Sequence, residues 1–194
     1  MSENVSAPHK RSSAPLWIII ALCAAPMIAA YVAYYVWPPA GHVNYGELIA
    51  PRNVADVELV TLDQRRFRIG DFKGEWLMLV VDDAACNERC ERKLVYTRQV
   101  RLAEGTEKER VARLWIATGE ARPAEALLNA HAELVVARDT TGAFTRSLPA
   151  GSTPADHVYV VDPLGNLMLR FPPDPDPRRM LNDMSRLLRH SKWK

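Results

Sequence analysis

Hydrophobic residues fall into two regimes along this chain. The first is one unbroken block. From Ala14 to Gly41 there is no Asp, Glu, Lys or Arg, and Leu16–Trp37 is apolar enough, at about 22 residues, to cross a hydrocarbon core at ~1.5 Å per residue. Trp17 at one end and Tyr31, Tyr34, Tyr35 and Trp37 at the other fit interfacial aromatic belts, and Pro26 in mid-span is tolerated in membrane helices. The second regime is a series of short runs. Val57–Thr61 alternates as a strand, Asp63-Gln64 turns, and Arg66–Ile69 returns. Trp76–Val81 is continuously apolar, as suits a central strand buried on both faces. Asn87–Glu104 reads as a helix that buries Leu94, Val95 and Leu102 and stops at Gly105. Leu114–Ala117 is another buried strand, Pro123–Ala132 a helix with Pro in its first turn, and Leu134–Ala137 a short strand. His157–Asp162 and Leu167–Phe171 form a hairpin about Pro163–Asn166. Arg178–His190 closes the chain as an amphipathic helix through Met180, Leu181, Met184, Leu187 and Leu188.

The order ββ, then β–α–β–α, then ββ–α predicts an α/β, thioredoxin-like fold with one N-terminal transmembrane helix. The boundaries follow: a cytoplasmic N-terminus over 1–15, an anchor over 16–37, a linker over the Pro-rich and irregular 38–53, and a folded domain over 54–194. About 140 residues suffice for one core. Lys10 and Arg11 precede the span, and after it no Lys or Arg occurs before Arg52, so the positive-inside rule places the domain outside the cytoplasm. The rival reading is a cleaved signal peptide. No small-x-small site followed by a polar start supports it, and Leu22 before Cys23 does not suit a lipoprotein site.

Charge changes the picture little. With 25 Lys and Arg against 23 Asp and Glu the formal net charge is +2. No basic stripe is interleaved with aromatics, so nucleic acid is not an expected partner, and the Arg65, Arg66 and Arg68 group reads as the solvated face of a hairpin.

The candidate chemistry lies at Cys86 and Cys90, which open a helix directly after the continuous apolar strand. Cys23 falls in the membrane span, which leaves these two thiols in an exported, disulfide-permissive region. One reading is a structural disulfide, though it would close a very short loop with little entropic gain. The other is a functional pair. With Cys90 in the first helical turn both sulfurs share a face, and a helix N-terminus favours thiolate. Asp82, Asp83 and Glu88 oppose that, and Arg89 offsets part of it. His157, at the head of a late strand, would complete a three-ligand soft-metal site, with Asp156 orienting it; the alternative is a hydrogen-bonded histidine at a strand end. His131 and His42 read as solvated, and Met78 and Met168 as core.

Taken together, Leu62-Asp63, Asp71-Phe72-Lys73-Gly74-Glu75-Trp76, Cys86-x3-Cys90, Asp156-His157-Val158-Tyr159-Val160-Val161-Asp162-Pro163-Leu164-Gly165-Asn166 and Phe171-Pro172 resemble the Sco/SenC family of copper-binding proteins of cytochrome c oxidase assembly. The single anchor matches as well. The departures are the proline-free Asn87–Arg89 and Glu91, and the lead-in Asp82-Asp83-Ala84-Ala85. The resemblance implies a metallochaperone in the cell (inner) membrane that binds copper through Cys86, Cys90 and His157. Its partner would be a copper-receiving oxidase subunit or another assembly factor. Cu(I) is soft and prefers thiolates, with imidazole acceptable. Two alternatives stay open: a periplasmic thiol-disulfide oxidoreductase that keeps partner cysteines reduced, for which the absence of Cys-x2-Cys is a mild contrary sign, and an assembly module without copper.

Overall fold

A central strand buried on both faces organises the domain. In β4 (Trp76–Asp83), Trp76, Met78 and Val80 enter one core and Leu77, Leu79 and Val81 the other. Side chains of successive strand residues point to opposite faces, so a strand covered on both sides must be apolar throughout. The structure, a computed structural model, describes residues 14–36 and 44–191. Residues 1–13, the anchor-end Trp37, His42 and residues 192–194 lie outside the described residues.

Two units are described. The first holds α1 (Ala14–Val36), which contains Pro26 and the free Cys23, and whose Trp17–Val36 portion is long and apolar enough to cross a membrane by length and composition. The second, Asn44–Lys194, is an eight-stranded sheet. β4 lies parallel to β5 (Val111–Thr118), which lies parallel to β6 (Val135–Arg138). On its other side β4 pairs antiparallel with β7 (Val158–Val161), and β7 with β8 (Asn166–Arg170). The hairpin β2 (Glu58–Thr61) and β3 (Arg66–Arg68) extends the sheet beyond β6. α2 (Glu88–Ala103) and α5 (Pro177–His190) cover one face, through Cys90, Leu94, Val100, Met180, Met184 and Leu188. The opposite core includes Leu59, Ile69, Leu114, Ile116, Tyr159 and Phe144, the last from α4 (Ala143–Ser147). A short helix α3 (Glu125–Ala130) lies between β5 and β6 in sequence.

The β7–β8 turn shows why its residues are what they are. The Asp162 carboxylate accepts the amides of Leu164 at 2.9 Å and Asn166 at 2.8 Å. Gly165 takes φ +84°, and a Cβ there would stand 2.7 Å from that of Ala55, so this turn tolerates only glycine without strain.

Three expectations need correction. The linker expected over 38–53 ends earlier, because Glu47–Asn53 forms β1, antiparallel to β8 at the sheet edge. Its register shifts between Leu48 and Arg52, around Pro51, and all but Ile49 of its residues are exposed, so it shows no alternation. An edge strand with a proline at an irregularity reads as loop. Gly46 just before it donates its amide to Asp183 Oδ2 of α5 at 2.8 Å. Second, α2 exposes Val95 and Leu102 and buries Lys93, Thr97 and Arg101 beside Cys90, Leu94 and Val100; its inner face is polar enough to hide from a hydrophobicity pattern. Third, His131 is buried, directly after a helix that is shorter than expected.

Candidate thiol and metal site

β4 ends in a tightly hydrogen-bonded turn. Ala84 donates its amide to Thr118 O at 2.9 Å, Ala85 to Asp83 Oδ1 at 2.8 Å, and Cys86 to Asp83 O at 3.0 Å. The turn leaves Cys86 at φ +45°. A non-glycine residue in the left-handed region carries a backbone cost of ~1–3 kcal/mol, and such residues cluster at functional sites. Asn87 then caps α2, its side-chain oxygen accepting the Cys90 amide at 3.1 Å. Cys90 thus stands in the first turn, as its spacing predicts.

Cys86 and Cys90 are joined as a disulfide, with Cα atoms 5.1 Å apart, and both are buried. His157 immediately precedes β7. The antiparallel β4–β7 register, Val80 opposite Val158, brings it to the end of the sheet from which the Cys86 turn leaves. Its ring is buried, and Nδ1 lies 2.8 Å from Phe171 O. A carbonyl oxygen only accepts, so Nδ1 carries a proton, and in the neutral imidazole this leaves the lone pair on Nε2, the tautomer a metal-ligating imidazole needs.

Two cations of α2 reach the segment that delivers His157. Arg89 Nη1 pairs with Asp156 Oδ1 at 2.8 Å. Lys93 Nζ donates to Asp82 Oδ2 at 2.6 Å and also to the Ala155 carbonyl. A hydrogen bond from Ser152 holds the Asp156 carboxyl below its ordinary value; its burial opposes the shift and the Arg89 charge adds to it. Burial pushes Lys93 below the usual lysine range, and the Asp82 hydrogen bond and charge counter part of that. Asp82 and Arg89 are visible in the sequence as charges beside the thiols. Lys93 is not singled out there; the only available signal is that it lies three residues after Cys90 and next to Leu94, on the inward face of α2.

The donor set suits a soft cation only in the reduced form. Two thiolates and an imidazole with its Nδ1 tied to a carbonyl match Cu(I) chemistry, but the disulfide engages both sulfurs in one covalent bond. Among the described residues no group of three or more His, Cys, Asp and Glu side chains is arranged to hold a metal ion. The pair as it stands can accept two electrons and two protons to give two thiols.

Residues 76–191 match the family described as transmembrane-like, thioredoxin-like, C-terminal domain. The chain belongs to that family. The match runs from β4 to the end of α5 and so contains Cys86, Cys90, Lys93 and His157. The fold of this member is thioredoxin-like, as solved structures also indicate. Apo Sco1 from Thermus thermophilus is similar with a TM-score of 0.59 at 20% identity, over 76% of this chain and 99% of that one. Yeast Sco1 with copper bound gives 0.57 at 14% identity, over 73% and 92%. The thioredoxin domain of a thiol-disulfide oxidoreductase from Bacteroides vulgatus gives 0.53 at 16%, over 72% and 99%. No curated protein matches the chain.

Proposed function

We propose that this protein is a membrane-anchored, thiol-based copper chaperone that assists assembly of the copper centre of cytochrome c oxidase, its folded domain lying on the periplasmic side of the cell membrane. The observation that carries the reading is the arrangement at one end of the sheet. A cysteine pair opens α2, and the same sheet end receives a buried histidine whose Nδ1 is committed to Phe171 O. Thiol exchange needs the first element alone. A free Nε2 lone pair held in place has a use when a soft cation is shared with the sulfurs. Copper is cargo in this reading, taken up by reduced Cys86 and Cys90 with His157 and passed to a copper-receiving subunit or another assembly factor. Similarity to the Sco1 proteins supports the reading at the level of fold.

A second reading, a thiol-disulfide oxidoreductase for partner cysteines, is favoured by one specific observation: Cys86 and Cys90 are already joined. The two readings separate in a single pair of assays on the full chain in detergent. The chaperone reading expects tight one-to-one Cu(I) binding by the reduced protein and little dithiothreitol-driven reduction of a general disulfide substrate. Robust turnover without Cu(I) binding would establish the oxidoreductase instead.

A further inference from the structure

α2 carries Cys90, and segment 152–156 carries His157 into the sheet. These two pieces of chain are distant in sequence; the β4–β7 register places His157 at this end of the sheet, and two polar contacts bridge its loop directly to α2. Arg89 to Asp156 is one, but its arginine side chain is 48% exposed, so solvent screens it. The other is dry. Lys93 is 2% exposed, and its ammonium spans the Asp82 carboxylate at the end of β4 and the Ala155 carbonyl two residues before His157. Lys93 lies three residues after Cys90, so the two share the inward face of α2. An apolar residue would fill this position without touching a carbonyl. A buried lysine costs solvation that the Asp82 carboxylate recovers in part, and the Ala155 contact adds a bond to the loop that presents the histidine.

We propose that Lys93 is a positioning residue for His157: its ammonium tethers the Ala155 carbonyl to α2 and so sets the imidazole in register with the cysteine pair. This rests on the copper reading for its purpose, though the tether itself can be measured without copper. With the tether cut, the exposed Arg89–Asp156 pair is left to join the loop to α2, and the third ligand is held less firmly against the helix bearing Cys90.

The test is a cycle of variants of the full chain in detergent. Lys93→Met keeps an unbranched chain of nearly the same length and removes the donor. In the reduced protein, Cu(I) affinity against a competing chelator should fall about tenfold, the scale of losing a residue that orients a ligand. In a His157→Ala background the same substitution should cost nothing further, because Lys93 acts through the imidazole. An equal loss in both backgrounds, or no loss in either, overturns the proposal. The second readout is hydrogen exchange of the metal-free protein at the His157 amide, which donates to Pro154 O at 3.2 Å. That amide should exchange at least about tenfold faster in Lys93→Met, and in the stability-restored Lys93→Met/Asp82→Asn it should do so while β4 and β5 keep parental protection, as a local opening would do. Lys93→Met/Asp82→Asn removes the orphaned carboxylate and guards against misfolding. It should restore stability and leave the fast exchange in place, whereas a return to parental protection would contradict the tether. If the parent chain binds no Cu(I), the chaperone reading fails, and the exchange measurement still decides for or against Lys93.

Discussion

Lys93 and Arg113 are both cations buried beneath α2, and they meet the same problem in different company. Lys93, near the start of the helix, finds a carboxylate at 2.6 Å and a carbonyl on the loop that leads to His157. Arg113, on β5, spends its donors on the helix itself: Nη2 to Leu94 O at 2.7 Å and Nε to Thr97 Oγ1 at 3.2 Å, with His131 Nδ1 at 3.5 Å. Burial, with the Arg101 and Arg98 charges, pushes Arg113 down to about 10. The first arrangement joins three segments of the candidate site. The second joins a strand to the helix above it. Charge burial costs in both places, but at Lys93 the contacts run toward the chemistry and at Arg113 they run toward packing. Buried cations between α2 and the sheet are therefore not one class, and their partners decide what each is for.

The largest effect should follow from breaking the Lys93 pair on one side only. Lys93→Met leaves the Asp82 carboxylate buried without its cation and should destabilise the domain by ~3–5 kcal/mol, read by chemical denaturation of the reduced protein. Lys93→Met/Asp82→Asn should recover most of that loss; if it recovers none, the pair is not the source of the penalty. Arg113→Met should cost less, ~1–3 kcal/mol, since it removes a charged donor from one carbonyl and one hydroxyl. It should also leave Cu(I) affinity and the reactivity of Cys86 and Cys90 unchanged. A loss of Cu(I) affinity in Arg113→Met comparable to that in Lys93→Met would erase the distinction between the two cations.

The smallest effect is one of pH. Burial holds His131 below its ordinary value of 6.5, and the Arg113 and Arg98 charges act in the same direction. The unfolded chain therefore binds the proton first as pH falls. The stability contributed by neutral His131 is complete above about 6.5 and is lost as pH drops through the folded value. His131→Gln should flatten the stability profile below pH 6.5. In Arg113→Met the His131 titration, followed by NMR, should move up towards 6.5; a shift in the opposite direction would contradict the assignment of Arg113 as a cause.

These buried charges mark the line between what the sequence makes legible and what it hides. The strands β4, β5 and β7 are visible because burial on both faces demands unbroken apolar runs, and the closing helix because Met180, Met184 and Leu188 recur at helical spacing. The cysteine pair and His157 are visible by residue type and by their places at element ends. β1 is hidden because an edge strand buries almost nothing and carries Pro51. The inner face of α2 is hidden because Lys93, Thr97 and Arg101 hold positions where apolar residues are expected, so Val95 and Leu102 draw the eye to the wrong side. His131 is buried beside Arg113, which arrives from another element and has no local signature.

The most direct test of the account is an anaerobic Cu(I) titration of the reduced full chain in detergent against a competing chelator, run beside Cys86→Ser/Cys90→Ser and His157→Ala. One copper should bind per chain, with binding lost in the cysteine variant and weakened at least about tenfold in His157→Ala. Binding no tighter than that of the cysteine variant, or binding by His157→Ala as tight as that of the parent, would contradict it.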